Sequence, residues 1–323
     1  MKESIAESLE KYSDYIIEAS KLGNIKIIGT VEKIAVCGVG NSGIVGDLLK
    51  NYFEELALKI PVFTVKDFEI PAFCDSKTLV FVISYSGNTM EAIKCYRSAV
   101  GRGCKIISIT SGGKLREICK ENNVDVIKIP ENLCSIAAFP FLFVPVLNVL
   151  KQNNILEEID FNSIAEMLKR ADFHNKVSEI SKRILNKKPV IYSSKRFEGV
   201  AIRWKNSFNE IAKIESHYNI FPEVVHNEVN AFEEPKNDSF LIFIVDDDDN
   251  KYIKKQIESF RSLIVKKAES TELRLKGSDY LKKLFLSVYI GDLISLEVCE
   301  LLEKNPEETK MKSQIKESTS RVI

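Results

Sequence analysis

The chain has 323 residues, 45% hydrophobic and 28% charged, the balance of an ordinary globular protein with enough length for about two domains. Lys plus Arg and Asp plus Glu stand at 46 each, so no overall field draws the chain to nucleic acid or to an anionic membrane. No run of ~18 apolar residues occurs and Met1-Lys2-Glu3-Ser4 begins no apolar signal core, so neither membrane insertion nor export is expected.

Residues 3–22 place Ile5, Leu9, Tyr12, Ile16 and Ala19 at three- and four-residue spacing, which predicts one amphipathic helix. A strand–turn–helix rhythm follows. Lys33 to Cys37 reads as a strand, Gly38 to Gly43 as a glycine turn and Ile44 to Phe53 as a helix. Further strands are read at Pro61 to Val65, Leu79 to Ser84, Ile106 to Thr110 and Val124 to Ile129, with a helix from Thr89 to Val100. These strands show little polar alternation, as expected of a parallel sheet covered on both faces by helices. Phe139 to Leu150 is apolar on nearly every side and too short for a bilayer, so it reads as a buried helix. Cys37, Cys74, Cys95, Cys104, Cys119, Cys134 and Cys299 form no C-x-x-C pair. A reduced, cytoplasmic protein without disulfides or a zinc site is expected.

After a polar linker from Gln152 to Asp160 the plan repeats. Lys188 to Ser194 matches the first strand, Gly199 to Lys213 its helix, and Phe240 to Val245 with Lys251 to Ser262 the third strand and its helix. The turn in this second unit is Asp246-Asp247-Asp248-Asp249. Four carboxylates there would repel phosphate and are expected to cap the helix; a calcium site lacks EF-hand spacing. The tail from Lys304 breaks at Asn305-Pro306 and then resumes helical character.

Ser84-Tyr85-Ser86-Gly87-Asn88-Thr89 is the stretch that speaks to chemistry. Three hydroxyls and a glycine sit where an apolar strand passes into a helix, where free N–H groups and the positive helix end converge on a site fit for a phosphate dianion. Asn88 with Glu91 resembles a capping box. An ordinary polar turn uses the same residue types. Gly38-Val39-Gly40-Asn41-Ser42-Gly43 fits G-x-G-x-x-G, yet the acidic ribose partner of a dinucleotide site is missing: Glu54 and Glu55 end the helix, and Lys66 follows the next strand. Two such turns side by side, with Ser42 opposite Ser84 to Thr89, suit a small phosphorylated molecule better.

At this point the blocks resemble the archaeal bifunctional phosphoglucose/phosphomannose isomerases of the sugar-isomerase (SIS) superfamily. The resemblance rests on Gly-x-Gly-Asn-Ser-Gly, Ser-Tyr-Ser-Gly-Asn-Thr-x-Glu and Gly112-Gly113-Lys114-Leu115 in the first half. In the second half it rests on Arg203-Trp204-Lys205, Asn209 to Lys213, and Pro222-Glu223-Val224-Val225-His226-Asn227-Glu228. It implies an α/β protein of two SIS-type domains, 1–155 and 156–323, each a parallel β-sheet flanked by helices in three αβα layers. It further implies a cofactor-independent, metal-free aldose–ketose isomerase that acts as a homodimer with shared active sites. By motif position Glu210 is the proton-shuttling base, His226 the ring-opening acid contributed to the neighbouring subunit's site, and Lys316 a lysine that joins the site. The same resemblance implies that Ser42, Ser84, Ser86 and Thr89 hold the phosphate and that Gly40, Asn41 and Gly87 bind the sugar substrate.

The chemistry agrees with those roles: moving a proton between C1 and C2 needs a base, and opening the ring needs an acid. Read without the family, Glu210 is a solvated residue on a charged helix face and Lys316 a solvated charge in a lysine-rich tail. Of three histidines, His174 and His217 lie outside any motif and read as surface or packing residues. One departure stands out. Where the family carries an arginine for the enediolate, this chain has Ile136, which cannot donate to an oxyanion; losing such a donor typically costs ~10²–10³ in rate. Val225 and Ile211 likewise replace family asparagines. Either another cation substitutes, Lys114 and Arg116 being candidates, or activity is low or altered, or the protein only binds sugar phosphates.

Overall fold

The computed structural model describes residues 3–134 and 136–320. Two short helices, α1 (Ile5–Glu10) and α2 (Tyr12–Ala19), precede the first unit. That unit runs β1 (Lys33–Cys37), α3 (Ile44–Glu55), β2 (Val62–Val65), β3 (Thr78–Ile83), α4 (Met90–Gly101), β4 (Lys105–Thr110), α5 (Gly113–Glu121) and β5 (Asp125–Lys128). Three helices, α6 (Phe139–Gln152), α7 (Phe161–Arg170) and α8 (His174–Ile184), lead to the second. It runs β6 (Lys188–Ser194), α9 (Glu198–Glu210), β7 (His217–Phe221), β8 (Ser239–Asp246), α10 (Lys251–Ile264), β9 (Glu269–Leu275) and α11 (Tyr280–Leu301), and α12 (Lys310–Ser320) ends the described chain.

Both sheets are parallel throughout, in the orders β2-β1-β3-β4-β5 and β7-β6-β8-β9. β3 shows why: Thr78-Leu79-Val80-Phe81-Val82-Ile83 is buried at every position, which only a strand covered on both faces tolerates. In register, Ile34 lies between Val62 and Leu79, and Val190 between His217 and Leu241. One apolar core joins the units, running from Ile34, Phe81 and Ile109 through Phe139, Phe143 and Trp204 to Leu284 and Val288. Each sheet keeps a second cluster on its other face: Ala35, Val80 and Tyr96 in the first, Tyr192, Phe221, Phe243 and Phe260 in the second. The result is two αβα sandwiches sharing their inner layer.

α11 forms much of that layer. The Trp204 indole N–H donates to the Ser287 carbonyl at 2.7 Å, and a side chain at Gly291 would bring its Cβ within 2.5 Å of the indole nitrogen. Polar clasps also cross between the units. Asn51 of α3 donates to the Lys195 carbonyl (3.2 Å) and accepts from the Gly199 N–H (2.7 Å), while Glu55 takes both Arg196 Nε (2.8 Å) and Nη2 (2.7 Å). α6 is buried from Phe139 to Leu150. Among the described residues no helix is long and apolar enough to cross a membrane.

Four sequence expectations need correction. The helix expected over residues 3–22 is two helices parted at Lys11, the first capped by a Ser4–Glu7 capping box. The capping box expected at Asn88 and Glu91 does not form: Thr89 is the N-cap, and Asn88 Oδ1 instead accepts the Lys114 N–H at 3.0 Å. The aspartates 246–249 do not cap α10, which Asn250 caps through the Tyr252 N–H; they bind cations instead. The helix expected to Lys213 ends at Glu210, with Lys213 at φ +56° beyond it. That last difference leaves Glu210 at a helix terminus.

Candidate active site

β1 and β3 are neighbours from which the chain leaves toward opposite sides of the sheet, so the turns following them meet at a topological switch point, where α/β sheets bind ligands. The Tyr85 N–H lies 3.4 Å from Ser42 Oγ and joins the two turns. Within the second turn Ser84 Oγ donates to Thr89 Oγ1 (3.0 Å) and accepts the Gly87 N–H (3.1 Å), and the exposed Ser86 Oγ accepts the Asn88 N–H (3.3 Å). Thr89 caps α4 without bonding its side chain to the first-turn N–H groups, which leaves donors for an anion.

Gly87 is required on two counts: its φ is +68°, and a Cβ there would lie 1.8 Å from the Gly112 carbonyl oxygen. That closeness comes from a third turn, after β4. The Ser111 N–H (2.9 Å) and Oγ (2.7 Å) both donate to the Tyr85 carbonyl, and the Leu115 N–H donates to the Gly87 carbonyl at 2.8 Å. Tyr85 reaches further. Its hydroxyl donates to the Pro130 carbonyl (3.1 Å) and accepts the Leu133 N–H (2.8 Å), fastening the loop that leads to Ile136. Burial pushes the Tyr85 hydroxyl's pKa up, so it stays a neutral donor.

The second unit delivers Glu210 to this place. At the end of α9, its Oε2 accepts from Asn41 Nδ2 at 3.1 Å, and Asn41 directly precedes Ser42. Its Oε1 lies 3.2 Å from Lys312 Nζ. The Lys213 ammonium explains how α12 arrives: it donates to the carbonyls of Glu210 (2.5 Å), Pro306 (3.1 Å) and Glu308 (2.7 Å), wrapping the tail around the helix end. Lys316, one turn beyond Lys312, is exposed and makes no ion pair among the described residues. The structure therefore brings Lys312, which sequence reasoning passed over, to the carboxylate. Its signal was present as the residue four before Lys316, on the same helix face.

Behind Asn41 lies a buried network. Arg203, with no exposed surface, donates from Nη1 to Asn41 Oδ1 (3.0 Å), from Nη2 to the Ile136 carbonyl (2.8 Å), and from Nε and Nη2 to Asp292 (3.2 and 2.6 Å). Burial works against its charge, but Asp292 outweighs that and holds the guanidinium's pKa above its ordinary value. Ile136 is itself buried in the core. Of the other suggested cations, Lys114 lies 3.8 Å from Glu117, and Arg116 is half-buried on α5. Ile211 is fully buried in the core, and Val225 packs against the second unit's own cluster.

His226 stands apart. It lies exposed beyond β7, the edge strand of the second sheet, and its imidazole has no hydrogen-bond partner among the described residues. Its loop is nonetheless held: Glu228 accepts from the Tyr192 hydroxyl and from Asn219 Nδ2, each at 2.5 Å. Gly40 sits at φ +58° in the first turn. The acid that a dinucleotide would need is replaced by Lys66, paired with Asp47 at 2.5 Å. Among the described residues no group of three or more His, Cys, Asp or Glu side chains is placed to hold a metal ion. A cavity of about 600 Å³ between α3, β2 and the start of α9 is lined by none of these site residues.

Comparisons with known proteins bear on the family and the fold. A family model described as the SIS domain matches residues 27–147, and one described as the bacterial phospho-glucose isomerase C-terminal SIS domain matches residues 173–318. The bifunctional phosphoglucose/phosphomannose isomerase of Caldicellulosiruptor bescii is 34% identical, covering 94% of this chain and 95% of its own. The D-glucosamine-6-phosphate 4-epimerase of Sulfolobus acidocaldarius is 30% identical, covering 92% of each chain. Among solved structures, the tagatose-6-phosphate ketose/aldose isomerase of Escherichia coli shares the fold at a TM-score of 0.69 and 12% identity, covering 95% of this chain and 96% of that one.

Proposed function

The chain belongs to the bifunctional phosphoglucose/phosphomannose isomerase family, and from that premise we propose that it interconverts glucose 6-phosphate, mannose 6-phosphate or both with fructose 6-phosphate through an enediol. One observation carries the reading. The carboxylate of Glu210, from the second unit, is hydrogen-bonded to the residue next to Ser42, in the pair of turns that offers hydroxyls and free N–H groups to a phosphate. A sugar anchored by its phosphate there presents its other end to a base.

In this reading Ser42, Ser84, Ser86 and Thr89 grip the phosphate, and Gly40 and Gly87 let the backbone come close to the sugar. Glu210 takes the C2 proton of the open-chain aldose and returns it to C1, while the hydroxyl proton passes between O1 and O2. His226 protonates the ring oxygen in the opening step. Its place beyond the edge strand, away from Glu210's hydrogen bonds, supports its serving the site of a second copy in a homodimer. Lys316, exposed on α12, is free to enter the site as sugar binds. None of the seven cysteines is in a disulfide, and five of them lie in the first unit's own cluster or pack against it, which supports a reducing, cytoplasmic setting.

A coupled assay on glucose 6-phosphate and mannose 6-phosphate tests this. Turnover of at least one is expected, with Glu210→Gln slower by ~10²–10⁴-fold. Ile136 favours a second reading, a sugar-phosphate binder without isomerase turnover; binding with no reaction of either substrate would select it. Glucosamine 6-phosphate belongs in the same assay because of the 30% identical 4-epimerase. Turnover of that substrate alone would overturn the isomerase proposal.

A further inference from the structure

Asn41 has been read as a sugar contact, but the geometry points to another duty: we propose that Asn41 is a positioning residue whose amide, clamped by Arg203, offers its N–H only to Glu210 and so aims the base. The inference rests on Glu210 being that base.

An amide side chain has a donor end and an acceptor end, and a half-turn exchanges them. At 7% exposure Asn41 has little water to satisfy either choice. Arg203 makes the choice, because a guanidinium donates and cannot accept. With Nη1 3.0 Å from Asn41, only Oδ1 can face it, and Nδ2 must then face Glu210 Oε2 at 3.1 Å. The opposite orientation would set donor against donor and carbonyl against carboxylate. It would sacrifice two charge-assisted hydrogen bonds, among the stronger kind in proteins.

Arg203 cannot yield instead, because its plane is fixed elsewhere. Asp292 on α11 grips Nε and Nη2, the Ile136 carbonyl takes Nη2, and Ser207 Oγ donates to Asp292 at 2.5 Å. The guanidinium also lies over the Phe139 ring, 5.6 Å from its centroid. Orientation therefore passes from α11 to α9, from there to the first turn, and back to the tip of α9. Glu210 itself is 27% exposed at a helix end, where an unaided carboxylate would sample several rotamers. With Oε2 committed to Asn41, Oε1 is the oxygen that meets the sugar, in the place that Lys312 otherwise occupies. Arg203 is spent on this network and is not the substitute for the arginine replaced by Ile136.

Two substitutions of Asn41, in the full-length protein, separate aiming from sugar binding. Asn41→Ala should lower kcat by ~10–100-fold and leave KM within about threefold, because the phosphate grip is intact and only the base is misaimed. Asn41→Asp is the sharper variant. Its carboxylate pairs with Arg203, so the melting temperature should not fall, yet it has no N–H for Glu210 and sets a like charge against it. Its kcat should fall below that of Asn41→Ala. A rise in KM with kcat retained in either variant would make Asn41 a sugar contact and overturn the inference. So would an Asn41→Asp enzyme as fast as Asn41→Ala or faster. Should Asn41→Ala fail to fold, comparing Asn41→Asp with wild type decides alone. Glu210→Gln distinguishes the two levels of failure: if it turns over like wild type, the base assignment falls and this inference with it, whereas an inactive Glu210→Gln beside a fast Asn41→Asp sinks only the inference.

Discussion

The turn after β3 and the turn after β8 occupy the same place in two sheets of the same order, and the chain uses them in opposite ways. In the first, Ser84 to Thr89 carry no charged side chain, and the α4 N-terminus is left without a side-chain cap. In the second, Asp246 pairs with Arg196 (2.7 Å) and with Lys283 (2.6 Å), Asp248 also meets Lys283 (2.6 Å), and Asp247 meets Arg274 (3.0 Å). The turn after β8 holds its own anions permanently, with cations to match; the turn after β3 keeps donors open, in the proposed reading for a phosphate that comes and goes. The closed turn also joins the two units, since Arg196 carries Glu55 of α3 on its other edge. Strand order thus places a turn where a ligand could bind, and side-chain charge decides whether the place is a site or a rivet.

The largest effect that sharpens this contrast is on stability. Lys283 is 2% exposed and Asp246 fully buried, so Lys283→Met leaves a buried carboxylate with Arg196 and the Asp248 N–H as partners, and among the described residues only Arg196 as an ion-pair partner. A loss of about 3 kcal/mol in urea denaturation is expected, with KM for the sugar phosphate unchanged. A loss below about 1 kcal/mol would mean that the aspartate turn is no rivet. Next comes a transfer of charge into the open turn. Ser86 is exposed, so Ser86→Asp should fold normally and raise KM by at least ~100-fold, equivalent to about 2.7 kcal/mol. An unchanged KM would remove the phosphate from that turn.

The smallest effect concerns pH. Burial raises the pKa of the Asp249 carboxyl above its ordinary value, the Asp246 N–H and the Arg196 charge only partly offsetting it. A raised folded-state pKa means that the native state holds its proton more firmly than the unfolded chain does. The stability this contributes is present below the unfolded value near 3.8 and is lost as pH rises through the folded value. Asp249→Asn mimics the protonated form, so it should melt above wild type at neutral pH, with the gap closing as pH falls toward 3.8. A gap that widens in acid would reverse the assignment. Asp248 in the same turn behaves oppositely: its bond to Lys283 holds its carboxyl below the usual range, so its contribution is present above the unfolded value and fades as pH falls through the folded one.

Local features of the site were readable to different depths. β1 and β6 run over the residues their apolar patterns indicate, and the polar turn after β3 lies where hydroxyls and glycine interrupt a buried run. The grouping of Glu210 with that turn came only through resemblance, because nothing in a charged helix end announces a partner 169 residues away. Lys312 was missed in favour of Lys316 because position in a motif ignores how Lys213 winds the tail around α9. Asn88 and the four aspartates were given to helix caps, the nearest use local spacing can offer, while the fold spends them on Lys114, Arg196, Lys283 and Arg274.

Hydrophobic periodicity and turn chemistry act over a few neighbouring residues, so the sequence alone settled the alternating α/β plan, the repeat of that plan, and the uncharged, hydroxyl-rich turn. Which polar side chains meet is a long-range matter. It depends on how α9 and α11 pack and on the desolvation that compels each buried donor to find an acceptor. The Asp292–Arg203–Asn41–Glu210 chain and the closed aspartate turn were therefore decided only by the tertiary structure, where burial leaves each of these groups few partners to choose from.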